Sequence, residues 1–292
     1  MVALLAAGAL GVAVVALNAG GPSPDRAHSA PTAGSAAPET VGSATPQPVG
    51  SAPASAPRHP PADHGRLVAE KRSVERVLGY TSYVQLAGNR RREVALTFDD
   101  GPSQYTPRIL GVLRRMHAPA TFFVIGRSVH AYPRFVGDEA RAGCEVGDHT
   151  EAHPQLALLS PSAQTAQITQ AAQDIRRAGA PSPVLMRPPY GSFSQTTLAI
   201  LRAERMLMVL WSADTKDYTR PGVSRIVYTA VSGGRPGAII LMHDGGGDRS
   251  ETVAALPRII LRLRQRGFRL VTISQLIADD PPPAHQRPPH PL

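Results

Sequence analysis

Apolar positions along the chain fall into two patterns that alternate, and the alternation begins only after about residue 65. Val94, Leu96 and Phe98 alternate with Ala95 and Thr97 between turn residues, which predicts a buried strand over 93–99. Similar short runs predict strands at 120–126, 145–149, 206–213, 237–242 and 268–273, and one at 184–191 that breaks at two prolines. Between them the apolar spacing lengthens to three or four. Ile109, Leu110, Leu113 and Met116 predict a helix over 106–117, and the 133–142 stretch another that ends at Gly143. The 160–178 segment has a Ser-Pro start and a Gly179 stop, with Ile168, Ala172 and Ile175 on one face. Further helices are predicted over 194–205, 223–232 and 252–266, with a last turn at 274–278. Ahead of the first strand, Leu67, Val68, Val74, Val77 and Leu78 predict a short helix packed on the outside of the fold, and Arg90-Arg91-Arg92 reads as a solvated approach to the strand.

Strands that alternate with helices argue a parallel sheet with crossover helices. The fold class expected is therefore α/β, an irregular (β/α) barrel of about seven parallel strands. Polar residues recur where strands stop, and in a parallel barrel those ends open on one face. Asp99, Asp100, His149, Arg187, Asp214 and His243 would then meet in one cup.

Composition changes the picture at the two ends. Residues 1–17 are apolar and uncharged, the length of a signal h-region but without its positive n-region, so 1–19 is read as a signal peptide or membrane anchor. Residues 20–65, dominated by Ala, Pro, Gly and Ser, read as a disordered linker, 66–280 as the globular domain and 281–292 as a Pro- and His-rich tail. The chain is accordingly expected outside the cytoplasm, secreted or tethered to a membrane through its N-terminus. Cys144 is the single cysteine, so no intrachain disulfide is available, and its setting is that of a small core residue. The net charge of +9 suits an anionic partner, but the arginines are scattered and lack interleaved aromatics, which argues against nucleic acid and is matched equally well by an anionic cell wall.

Candidate chemistry concentrates at the strand ends. The first strand stops in Asp99-Asp100-Gly101-Pro102; alone this reads as a turn, but both carboxylates can also lean into one pocket there. His149 and His153 stand at i and i+4, spacing that lets two imidazoles share a cation. Pro154 follows at once, placing the pair on a short loop rather than on the continuous helix of a zincin. Two histidines and one aspartate form an open three-ligand site with room for a water.

Thr97-Phe98-Asp99-Asp100-Gly101, His149-Thr150-Glu151-Ala152-His153-Pro154, Arg187-Pro188-Pro189-Tyr190-Gly191, Asp214-Thr215-Lys216-Asp217 and Leu241-Met242-His243 resemble, in order, the motifs of NodB-homology polysaccharide deacetylases, carbohydrate esterase family 4. The resemblance covers about 92–276. It implies that Asp100, His149 and His153 bind a divalent metal, Zn2+ or an ion such as Co2+, and that Asp99 is the general base, paired with Arg187. It also implies the backbone N–H of Tyr190 as an oxyanion donor, His243 as the general acid and Leu241 in the pocket for the acetyl methyl. The acidic partner of His243 is expected to be Asp214, which ends its strand directly, with Asp217 as the alternative. Where the family commonly has Trp after that second Asp, this chain has Tyr218, which bears on the groove wall and substrate choice; Trp211 is assigned to the core. The implied activity is removal of acetyl groups from an N- or O-acetylated polysaccharide such as peptidoglycan, a chitin-like polymer or xylan, by a monomer. A glycosidase and a silent wall-binding module are the competing readings: the first would leave the histidine pair idle, the second every catalytic group.

Overall fold

The computed structural model describes residues 64–284 and Gln286. The leader, nearly all of the linker and most of the tail lie outside the described residues, among which no helix is long and apolar enough to cross a membrane.

Nine strands form one sheet whose ladders are all parallel: β1 (Tyr83–Val84), β2 (Glu93–Gly101), β3 (Thr121–Val124), β4 (Glu145–Asp148), β5 (Leu185–Met186), β6 (Leu207–Val209), β7 (Ala213–Asp214), β8 (Ala238–His243) and β9 (Arg269–Val271). Their spatial order is β1-β6-β5-β4-β3-β2-β8-β7. One edge of β2 pairs with β8; the other takes β9 along Glu93–Ala95 and β3 from Thr97 onward. The helices are α1 (His64–Leu78), α2 (Thr106–Arg115), α3 (Gly126–Ala131), α4 (Pro133–Arg141), α5 (Pro161–Arg177), α6 (Gln195–Ala203), α7 (Val223–Gly233), α8 (Ser250–Gln265) and α9 (Ile273–Asp279). Short polar side chains start three of them: Ser160 accepts from Ala163 N, Ser194 forms a capping box with Thr197, and Thr272 accepts from Gln275 N.

One of the expected strands is divided. The 206–213 run is two strands, β6 next to the end strand β1 and β7 at the other end of the sheet. The end strands β1 and β7 do not pair with each other, and residues 210–212 cross the opening between them, Leu210 N donating to Val84 O and Ser212 N to Ile239 O. The barrel is irregular because it is sutured here by a crossing segment, not by a ladder.

Strand alternation sorts side chains into two layers. Val94, Leu96, Phe98, Phe122, Val124, Ile240 and Met242 pack outward under α2, α4, α7 and α8, with Phe98 and Phe122 stacked at 5.2 Å and Cys144 in the same layer. Ala95, Phe123, Leu185, Leu207, Val209 and Ile239 fill the interior. Val74 and Val77 of α1 and Ile273, Leu276 and Ile277 of α9 join this interior layer. Ile273 N bonds Thr121 Oγ1 and Ser274 N bonds Glu145, so these helices plug the barrel at the strands' N-terminal ends. The first helix is thus a plug, not an outer layer, and the opposite mouth is left for chemistry.

Candidate active site

Thr97 and Asp99 on β2, Phe123 on β3, Leu241 and His243 on β8, and His149 and Arg187 one step past β4 and β5 share one parity, so all point inward. Asp100 should point away. It does not, because its backbone is left-handed (φ 72°) and the β2–β3 register shifts between Asp99 and Gly101, a bulge that turns both neighbouring carboxylates to the same mouth. Such conformations cost on the order of 1–3 kcal/mol each and persist where the surroundings enforce them. Thr150 (φ 67°), His153 (φ 60°) and Tyr190 (φ 59°) share the left-handed region.

The histidine loop is built around its own turn. Asp148 Oδ1 accepts from Thr150 N at 2.8 Å and Thr150 Oγ1 from His153 N at 3.0 Å, which brings the two rings within 4.9 Å, centre to centre. His153 Nε2 lies 3.1 Å and His149 Nε2 3.5 Å from Asp100 Oδ1. His149 Nδ1 donates to Arg187 O at 2.6 Å, which leaves the Nε2 lone pair facing the carboxylate. Asp100 Oδ1 is buried without a hydrogen-bond partner. Burial opposes its charge, but His149 and His153 hold its carboxyl far below the usual range; burial likewise opposes the charge of His149, and Asp99 and Asp100 raise its pKa. Two imidazole nitrogens aimed at an orphaned carboxylate oxygen fit a divalent ion.

Asp99 faces a different partner. Arg187 is fully buried; its Nη1 donates to Asp99 Oδ1 at 2.7 Å and to Thr97 Oγ1 at 2.8 Å. Its Nε and Nη2 reach Val209 O and Leu210 O, both at 3.3 Å, and the guanidinium lies 4.2 Å from the Phe123 ring centre. Burial lowers the Arg187 pKa, and the Asp99 charge opposes that drop. Losing one partner of such a buried pair costs about 3–5 kcal/mol, because the other charge is left uncompensated.

Across the mouth, His243 Nδ1 donates to Asp217 Oδ1 at 2.7 Å. The other oxygen, Oδ2, accepts from His243 N at 2.8 Å and Thr252 Oγ1 at 2.7 Å. Burial works against the His243 charge, but Asp217 carries its pKa up to about 8. This corrects the expectation for Asp214. Asp214 sits opposite Leu241 in the β7–β8 ladder, two residues short of His243, and its oxygens accept from Lys216 N and Tyr218 Oη. The left-handed Lys216 turns the chain back, and a 3-10 turn over Asp217–Thr219 delivers Asp217 beneath the imidazole. Proximity to a strand end chose Asp214; a buried turn chose Asp217.

Tyr190 and Tyr218, about half exposed, stand on either side. The Tyr190 ring meets His153 edge-on at 4.6 Å and Tyr218 meets His243 at 5.2 Å. Leu241 is buried, its carbonyl accepting from Thr215 Oγ1 at 2.8 Å. Trp211, assigned to the core, is partly buried 5.8 Å from the Arg187 guanidinium.

The family profile described as polysaccharide deacetylase matches residues 87–209. A chitooligosaccharide deacetylase of Bradyrhizobium sp. (strain ANU 289) is 40% identical over 208 residues, 67% of this chain and 94% of the relative. The chain belongs to the polysaccharide deacetylase family. A peptidoglycan-N-acetylglucosamine deacetylase of Bacillus cereus is 38% identical over 65% of this chain and 90% of its own length. The crystal structure of the Bc1960 peptidoglycan N-acetylglucosamine deacetylase superposes with a TM-score of 0.65 at 33% identity, covering 67% of this chain and 92% of that one. As a member of this family the protein is a carbohydrate esterase, a hydrolase of acetylated polysaccharides. The profile match spans Asp99 to Tyr190 but stops before Asp217 and His243. Phe123 and Thr252, which support Arg187 and Asp217, carried no signal in the sequence beyond strand parity for the first, and Thr97, which accepts from Arg187, was legible only as the opening residue of its motif.

Proposed function

We propose that the protein is a metal-dependent deacetylase that removes N-acetyl groups from a β-1,4-linked amino-sugar polymer of the cell wall, acting outside the cytoplasm. The observation that supports this best is the split between neighbours: Asp100 faces two imidazoles while Asp99 is held by a buried arginine. A divalent ion held by Asp100, His149 and His153 would polarise the acetamide carbonyl and lower the pKa of a water beside it. Asp99, held in place by Arg187, accepts a proton from the attacking water. The tetrahedral oxyanion is met by the backbone N–H of Tyr190, in a turn whose two preceding prolines have no N–H to offer. His243, protonated through Asp217, donates to the leaving nitrogen, and Leu241 contacts the acetyl methyl. The exposed rings of Tyr190 and Tyr218 flank the sugar. Relatives named for chitooligosaccharide and for peptidoglycan support this substrate class.

The test is acetate release from peptidoglycan, chitooligosaccharide and acetylxylan, with chelator and metal add-back. Asp99→Asn is expected to lose roughly 10²–10⁴-fold in rate while still holding metal, and His149→Ala to lose both metal and acetate release. A purified protein with no stoichiometric divalent ion and no acetate release would favour the binding-module reading; glycan cleavage without acetate would favour the glycosidase.

A further inference from the structure

Where the 149–153 loop meets α3 and α5, a second group of donors converges. His130 of α3, Glu151 of the 149–153 loop and Asp174 of α5 each place one ligand atom within 4.8 Å of the other two. The three come from separate elements. His130 Nε2 is 3.1 Å from Asp174 Oδ2, and Asp174 is 2% exposed while His130 is open to solvent. Arg177 Nη1 takes Asp174 Oδ1 at 2.8 Å and Gln170 Nε2 lies 3.1 Å from Oδ2, so part of the acid's charge is met by the protein, and the Oδ2 lone pairs still face the imidazole. Glu151 Oε2 is buried with no hydrogen-bond partner. The fold makes room for it: a Cβ on Gly126 would stand 1.9 Å from that oxygen, so only glycine allows the carboxylate to lie against α3. A cleft of about 150 Å³ lined by Val129, His130, Pro133, Asp174 and Arg177 opens beside the group and has room for an ion's waters.

One imidazole with two carboxylates, all within so short a span, is a donor set that suits zinc, cobalt or manganese. We propose that His130, Glu151 and Asp174 form a second, solvent-facing site for a first-row divalent ion. An ion there ties α3 and α5 to the loop that carries His149 and His153, adding to the backbone bonds already made between Gly126 N and Thr150 O, Arg127 N and Glu151 O, and Glu151 N and Gln167 O. Its role toward the reaction is positional, and its existence does not depend on the deacetylase reading.

The experiment is metal stoichiometry by elemental analysis of the untagged full chain, stripped with chelator and then dialysed against Zn2+ or, separately, Co2+. Wild type is expected to retain two equivalents, matching the two donor groups. His130→Ala, at a largely exposed side chain, and the near-isosteric Asp174→Asn should each retain one. His149→Ala should also retain one, and the His130→Ala/His149→Ala pair none. A single equivalent in the wild type that His149→Ala removes and His130→Ala leaves in place would overturn the site. So would a second equivalent that survives both His130→Ala and Asp174→Asn, since it would then be held elsewhere, for example by His285 or His290 of the tail. Circular dichroism on each variant separates loss of the ion from loss of the fold.

Discussion

At the scale of single residues, the side chain that sets the proton affinity of His243 is Asp217. Bonded to both its ring nitrogen and its amide, it raises the His243 pKa to about 8, against about 6.5 for an unperturbed imidazole. The sign follows: the protonated form that can donate to a leaving group dominates below about 8 and is lost above it. The same shift stabilises the fold fully below the unfolded value and is lost as pH rises through the folded one. Replacing Asp217 with Asn should bring the imidazole back toward 6.5, visible as a shifted His243 titration by NMR in the metal-free protein. At pH 7.5 the protonated share then falls roughly eightfold, and at pH 5.5 it hardly changes. Acetate release should follow the same course, with its alkaline limb moved to lower pH. Asp214→Asn should leave both the titration and the limb where they were; if it moved them as far as Asp217→Asn does, the pairing seen here would not be the working one.

Secondary elements place these groups through parity and register, and β4 shows how little tolerance the arrangement has. Gly147 faces inward opposite Phe123, and a Cβ there would lie 2.7 Å from the Phe123 ring and 3.2 Å from Leu185 O. Phe123 in turn supports the Arg187 guanidinium. Gly147→Ala is therefore expected to destabilise the domain by about 1–3 kcal/mol through overpacking, read by thermal or urea unfolding. Its acetate release should fall more than Asp214→Asn lowers it, because the ring cannot move without moving Arg187. An unchanged melting point would show that the ring has space the packing does not indicate. The long elements were legible in the sequence because apolar period alone defines them: β2, β3, β8, α5 and α8 lie within a few residues of the predicted spans. What escaped was set by partners distant in the chain. The two-residue β1 exists because Tyr83 and Val84 pair with Met208 and Val209, and the division of 206–213 follows from the opening that Leu210–Ser212 must cross. Asp100 was legible as a candidate ligand, but the left-handed backbone and bulge that turn it inward leave no mark on hydrophobic pattern.

Over the whole molecule, charge and chemistry are separated. The mouth of the barrel concentrates Asp99, Asp100 and Asp217, while the chain carries 31 Lys and Arg against 22 Asp and Glu, a net +9. A surplus of that size does nothing for the acetyl transfer itself, and its physical effect lies in encounter: a cationic surface raises the local concentration of an anionic polymer and the rate of meeting it, by roughly 10- to 10³-fold at low salt. Salt removes that gain as the screening length shrinks from about 10 Å at 0.1 M to about 3 Å at 1 M. If the substrate is an anionic cell wall, kcat/KM on intact wall should fall by about tenfold or more over that range, with kcat nearly constant. Chitooligosaccharide is neutral and supplies the control, since it presents the same acetamide to the same groups without a long-range field. Parallel losses on both substrates would mean that salt acts on the site and that the charge has another purpose. A steep loss on wall alone would assign the arginines to capture, and would distinguish a wall enzyme from one whose natural substrate is an uncharged chitin-like polymer.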